Sequence, residues 1–451
     1  MKVLYCIYSL FYCKFIQDNI FIYKWGIFMH TQQNLTWLQG TGLLISTLLG
    51  SSLFIIPAMA ASIMGDGSVA AWALIIVCIL PVAFCFSSLG AAYPNEGGTA
   101  FFIRQAFGEK WEHFTGWLFL SALPIGPPII LITGISYLGA LAGWNTRIEF
   151  LAGIFALGLL FLLNIGGLKF LSMLQTWGTV GILLILSLLL GKAGLEMQGD
   201  ALFTIPLVLP AKAHLLDGMG LLFWSFVGIE AVAHLAQSFK NVKRDFPLTI
   251  FSGIFVVGIL CLLLGIVVLR YHAYGSDAVN DRYMFFLFTH FFGSYGQIFV
   301  ACMACFTCLA SVNLYFISFS NMLHSMSEQG YLPSVLQKKD TRQTPIYALA
   351  VCYGVAALTL LLRYAMHLPL QELVLYANAA FVAVYLLASM AGLVLLRGWK
   401  LFAAVLSTIF CSLIFFSLGI KCLYVGAVFL LVFAAEYILE RRAMVLHGEQ
   451  G

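Results

Sequence analysis

The sequence predicts an all-α integral membrane protein with 12 transmembrane helices. Three observations carry this expectation. Of the 451 residues, 62% are hydrophobic and only 9% are charged; a soluble domain has about 45–50% apolar and about 25% charged residues. Mean hydropathy is +0.97, more apolar surface than a water-soluble fold can hide. The apolar residues also gather in windows of about 20, the length a helix needs to cross a bilayer.

In chain order the windows are 37–62, 69–92, 114–141, 148–165, 170–191, 216–238, 247–270, 297–325, 345–363, 371–396, 399–418 and 421–439. The stretch 285–293 reads as a short interfacial helix on the outer side. Residues 1–28 do not fit the pattern. Gln17, Asp18, Asn19 and Lys24 interrupt them, so they make a poor span. They lack a small-residue cleavage site, so they make a poor signal peptide. The expectation is that 1–28 is a non-native or disordered extension, that Met29 is the natural start, and that 29–447 is a single domain.

Lys and Arg in the connections set the orientation. If the first span starts in the cytoplasm, thirteen of these residues after residue 29 lie inside and seven outside. The inside set is Arg104, Lys110, Lys169, Lys240, Lys243, Arg244, Lys338, Lys339, Arg342, Arg397, Lys400, Arg441 and Arg442. The outside set is Arg147, Lys192, Lys212, Arg270, Arg282, Arg363 and Lys421. Both termini are therefore expected in the cytoplasm. The net charge of +4 is spread over loops, and no basic run is interleaved with aromatics, which argues against a nucleic-acid partner.

Most of the eleven cysteines lie inside apolar windows, where a thiol behaves as a small hydrophobe, so no structural disulfide is expected. Cys302, Cys305 and Cys308 have a CxxCxxC spacing, but the fourth ligand and flanking Pro of an iron–sulfur set are missing. Neither a metal nor a cofactor is expected.

Windows 37–191 form one group of five and windows 216–396 a second. An odd number of spans per repeat forces opposite orientations, the signature of a 5+5 inverted repeat. Windows in 399–439 are then two additional C-terminal helices. Each repeat opens on an interrupted span. The first reads Gly50-Ser51-Ser52 and the second Gly228-Ile229-Glu230. Lipid cannot satisfy a freed N–H or carbonyl, so such breaks survive only where the backbone faces protein, a ligand or water. Paired interrupted spans point to a midplane binding site.

At the first break, Gly50 permits close backbone approach, and Ser51 and Ser52 compete for backbone hydrogen bonds. The half-helix beyond it presents N–H groups suited to a carboxylate. The same small residues also suit simple helix packing. At the second, Glu230 is an ionisable group in an apolar span, where insertion costs about 2.5–3.5 kcal/mol, so a partner or a function is expected. It reads as a proton carrier, as an acceptor for a substrate ammonium, or as a cap on the freed N–H groups. His234 lies one turn on, within reach, or is a packing histidine. Trp224 stands one turn before the break, as a lid or as a core aromatic.

These segments resemble the amino acid–polyamine–organocation (APC) superfamily. The likeness rests on Gly-Ser-x-x-Phe-x-x-Pro at the first break, on Trp-Ser-Phe-x-Gly-x-Glu at 224–230, and on 239–247. Tyr93-Pro94-Asn95-Glu96-Gly97-Gly98 and 326–333 are similar to the family's cytoplasmic loops. Stretches 116–121 and 230–236 and Leu375-Tyr376-Ala377-Asn378 resemble the branch of bacterial exporters of methionine and branched-chain amino acids. The resemblance spans about residues 35–440. It implies a LeuT-type fold with helices 1 and 6 unwound mid-membrane. Ser51 and Ser52 would face the substrate carboxylate, and Trp224 would cover the substrate. Carbonyls of Phe223 to Phe226 would receive the ammonium, and Glu230 would hold the unwound segment. The family usually has Gly where this chain has Ser52, and a side chain there narrows the backbone approach.

The expected substrate site is therefore Leu48, Gly50, Ser51, Ser52, Phe223, Trp224, Phe226 and Gly228. Leu48, Phe54, Phe223, Phe226 and Ile229 make its surroundings apolar. No second acid accompanies Glu230, so a zwitterion with an apolar side chain is the simplest guest. Candidate coupling or structural residues are Glu230, His234, Ser311 and Asn313. A proton on Glu230 or His234, a cation on Ser311 and Asn313, and helix packing all stay open. The chain reads as a secondary active transporter of the bacterial inner membrane, an exporter or antiporter, with uptake or exchange on the same fold as the alternative. No HExxH, GxSxG or paired carboxylates suggest an enzyme, and no pore motif suggests a channel.

Overall fold

The computed structural model describes residues 35–50, 52–95, 97–165, 170–196, 208–340 and 344–434. The expectations for residues 1–28, Ser51, Glu96, Lys169, Arg342, Arg441 and Arg442 lie outside the described residues.

A capping box starts the first helix: the Thr36 hydroxyl accepts the Gln39 N–H, and the Gln39 side chain accepts the Thr36 N–H. This helix, α1, runs Trp37–Leu49. Helix α2 runs Ser52–Met64 with Pro57 inside it. At 1.5 Å per residue each 13-residue helix is about 20 Å long, short of the roughly 30 Å hydrocarbon core. Helix α3 follows, Ser68–Ala92, then α4 Gly98–Phe107, α5 Glu109–Ser121 and α6 Gly126–Ala142. Helix α7 runs Thr146–Ile165 and α8 Phe170–Glu196.

The sixth window is not one continuous helix. Helix α9, Lys212–Leu222, tightens into a 3-10 turn at Phe223–Phe226. Val227 is extended, and the five-residue helix α10, Ile229–Ala233, follows. Helices α11 (Val242–Arg270) and α12 (Asp277–Asn280) lead to α13 (Tyr283–Glu328). Gly293 breaks α13 with φ 58°, so a short helix precedes the spanning one, close to the expected 285–293. Helices α14 (Ile346–Met366), α15 (Leu370–Leu395), α16 (Trp399–Ser417) and α17 (Gly419–Ala434) complete the bundle.

Among the described residues, nine helical stretches are long and apolar enough to cross a membrane. Helix α13 packs along α6 and α8, α11 along α1 and α3, and α15 along α16. These helices enclose a core of Phe, Leu, Ile and small residues around both breaks. The outer faces are equally apolar. Phe155, Leu162, Phe402 and Leu430 are all exposed, which costs little only when lipid covers them. The chain is a multi-pass membrane protein.

Candidate functional site

The two breaks lie against one another. Gly228 has φ 134°, a backbone conformation that L side chains rarely adopt. A Cβ there would stand 2.8 Å from Thr47 Cγ2 and 3.2 Å from Leu48 Cδ2. Glycine is thus required both by the turn and by the closeness of α1. Leu48 is buried.

At the first break the Gly50 N–H reaches back to the Ser46 carbonyl at 3.2 Å. Ser52 is buried, and its hydroxyl donates to the Leu48 carbonyl at 2.6 Å. That carbonyl belongs to the last turn of α1, whose acceptors run out of helical donors. The side chain that narrows this backbone thus also serves the end of the preceding helix. Neither α1 nor α2 contains a charged residue.

At the second break the charge is occupied by protein. A Glu230 carboxylate oxygen accepts the Gly228 N–H at 2.8 Å and the Tyr385 hydroxyl. The Tyr385 oxygen also accepts the N–H groups of Gly228 (3.2 Å) and Ile229 (3.1 Å) and lies 3.1 Å from the Phe226 carbonyl. Its single proton can serve only one acceptor at a time. Glu230 and Tyr385 together replace the hydrogen bonds that a continuous helix would have made. One turn earlier, tightening to a 3-10 turn leaves carbonyls short of donors. Asn378 of α15 donates to the Gly220 carbonyl, in the last turn of α9, at 2.8 Å.

The aromatic residues divide between two sides. The Phe223 ring packs on Tyr385 and Phe410, at centroid distances of 5.3 and 6.3 Å. Trp224 is buried and meets Phe381 edge-on at 6.2 Å. Phe226 is fully buried. The His234 ring lies over Gly98 and faces Phe119 at 6.3 Å, beside α4 and α5.

Ser311 and Asn313 are separated. Ser311 Oγ would be 3.8 Å from a Cβ on Gly50, so it faces the first break. Asn313 accepts a hydrogen bond from Asn164 of α7 at 2.6 Å, and Asn164 also reaches the Tyr353 hydroxyl of α14 at 2.9 Å. Residues two apart on a helix point about 200° apart, so a single site does not gather both side chains.

Tyr385 and the Asn378 contact with Gly220 escape a reading of the breaks alone. A buried tyrosine needs a hydroxyl partner, and that was the available signal. Tyr385 is 155 residues from Glu230, so the partner could not be named.

A bundle of apolar helices, with two interrupted segments meeting at its centre, is the architecture of a membrane carrier. The chain belongs to the amino acid permease family, whose profile matches residues 35–436. It is similar to the L-methionine/branched-chain amino acid exporter YjeH of Escherichia coli (strain K12), with 34% identity over 397 residues, 87% of this chain and 93% of that protein. It is also similar to the uncharacterized amino acid permease YecA of Bacillus subtilis (strain 168), 28% identical over 87% of this chain and 93% of that one. The serine/threonine exchanger SteT of the same organism is 25% identical over 68% of this chain and 72% of its own length. Amino acid transport is the function this family membership supports.

Proposed function

We propose that this protein exports apolar L-amino acids, methionine and the branched-chain residues among them, across the bacterial inner membrane by alternating access. One observation carries the choice of guest. The acid at the second break, Glu230, is already engaged by Gly228 and Tyr385, and α1 and α2 bring no charge of their own. A cationic side chain would find no free counter-charge there, and burying it unpaired is costly. A zwitterion asks only for N–H donors at its carboxylate and carbonyls at its ammonium. The start of α2 offers the first, and the 3-10 turn at Phe223–Phe226 offers the second.

In this reading Gly50, Ser51 and Ser52 bind the carboxylate. Leu48 and Phe226 line the apolar part, Trp224 covers it, and Phe223 and Gly228 shape the turn. The layout is the LeuT-type one: twelve spans, repeats 37–191 and 216–396, two added helices, and both termini cytoplasmic. A proton is the proposed coupling ion, with Glu230 and His234 as its candidate carriers. The similarity to YjeH, named an exporter, supports the direction.

The test is efflux from cells loaded with a methionine dipeptide. Wild type should release methionine faster than cells without the protein, and Trp224→Ala and Ser51→Ala should release it more slowly. Efflux unaffected by the protein overturns the export reading. Competition that ranks arginine above methionine overturns the choice of guest.

A further inference from the structure

Proline 57 leaves a gap in α2. It has no N–H, so the carbonyl four residues before it, that of Leu53, receives no helical hydrogen bond. Leu53 is fully buried in an apolar bundle, where an unmet carbonyl is costly. The Tyr283 hydroxyl meets it from 230 residues away. Tyr283 is itself fully buried and is the first residue of α13.

A second tyrosine repeats the arrangement. The Tyr137 hydroxyl of α6 donates to the next carbonyl, that of Phe54, at 3.0 Å. The same oxygen accepts the Met284 N–H at 3.3 Å. Met284 lies in the first turn of α13, where N–H groups lack helical partners, and this helix has no side-chain cap. Two hydroxyls therefore join the start of α13 to α2, each filling a backbone vacancy.

The connection carrying Tyr283 is tied elsewhere too. Arg282 forms an ion pair with Glu149 of α7. Glycines at positive φ bracket the connection, Gly275 at 132° and Gly293 at 58°. They can absorb backbone rotation at either end. This is the side reached by the half of the first span beyond its break.

We infer that Tyr283 and Tyr137 are positioning residues that hold α2 shut against the outer connection 276–292, and that releasing their hydrogen bonds opens the outer side of the transport path. The inference rests on the alternating-access reading above. It concerns access, not cargo, so the two can fail separately.

Intact cells carrying Ser52→Cys, treated with a charged, membrane-impermeant thiol reagent, give the test. Modification is compared with cells lacking that thiol and scaled to the amount of protein in the membrane. Adding Tyr283→Phe or Tyr137→Phe should speed modification about threefold to tenfold, the range expected for loss of one buried hydrogen bond. Tyr353→Phe, which removes a buried hydroxyl bonded to Asn164, should leave the rate unchanged. Pro57→Ala restores a donor to the Leu53 carbonyl, so Tyr283→Phe should have a smaller effect in that background. Equal rates in the parent and both tyrosine variants overturn the inference. Fully additive effects of Pro57→Ala and Tyr283→Phe overturn the role given to the orphaned carbonyl. Absence of methionine efflux from the protein with Ser52 intact, while these rate differences hold in the Ser52→Cys background, would count against the cargo and not against the clasp.

Discussion

The two interrupted segments meet at the centre of the bundle and handle the same difficulty in different ways. At Gly50 the chain uses small residues and local bonds: Gly50 to Ser46, and Ser52 to Leu48. At Gly228 it uses an acid and a tyrosine from another helix, Glu230 and Tyr385. The first leaves an uncharged helix start. The second consumes its own charge in holding backbone. Glutamate in a membrane span is commonly read as a functional site. Here it has backbone work to do before any ligand binds, and the proposal of an apolar guest rests on that.

Removing the acid gives the most severe test of this contrast. Glu230→Ala leaves the Gly228 N–H and the Tyr385 hydroxyl without their carboxylate acceptor. Hydrogen bonds to a charged group contribute about 1.5–3 kcal/mol each, so thermal stability in detergent should fall clearly and efflux should be lost. Glu230→Gln keeps an oxygen acceptor and should retain stability better. A Glu230→Ala protein as stable as wild type would mean that the acid does not hold the segment.

A second carboxylate, Asp281 in the connection 276–292, extends the contrast. Glu230 is met by neutral donors, whereas Asp281 lies among charges. Burial is the largest influence and pushes its carboxyl up to about 7. Arg363 pulls it down, Asp277 pushes it up, Arg282 pulls it down and Glu149 pushes it up. In an open, solvated connection it would titrate near the ordinary value of about 3.9. If the connection opens as inferred above, then between about pH 4 and 7 the closed form holds a proton that the open form has lost. Its contribution to closure is complete below about pH 4 and is lost as pH rises through about 7. Modification of Ser52→Cys from outside should speed up as external pH rises from about 5 to 8. The thiolate fraction rises with pH in both proteins, so the measure is the ratio of the parent rate to the Asp281→Asn rate. That ratio should rise from about pH 5 to 8, and a ratio independent of pH would refute that contribution to closure.

The smallest effect belongs to the first break. Ser52→Ala removes only the hydroxyl that serves the Leu48 carbonyl. Methionine affinity in competition binding should change by about threefold or less, matching one modest hydrogen bond. A loss of a hundredfold would mean that Ser52 binds the guest through its side chain, and both breaks would then commit a polar side chain.

Much of this was legible in the sequence. The helical membrane class follows from hydropathy, a sum over residues that no packing detail alters. Gly228 and the nearby acid marked the second segment because glycine and buried charge act locally. Other readings required the fold. Ser311 and Asn313 look alike in the sequence, yet helix rotation turns one toward Gly50 and the other toward Asn164. Phe223 and Trp224 are neighbours that pack on Tyr385 and Phe381 respectively. The vacancy at the Leu53 carbonyl, four residues before Pro57, and the hydroxyl that fills it belong to the fold.

Where backbone hydrogen bonds fail is written locally, because glycine, proline and 3.6-residue periodicity act over a few residues. What repairs them is set by the packing of distant helices. Tyr385 and Tyr283 arrive from 155 and 230 residues away, and a hydroxyl's partner depends on which helices pack together, which no local rule specifies.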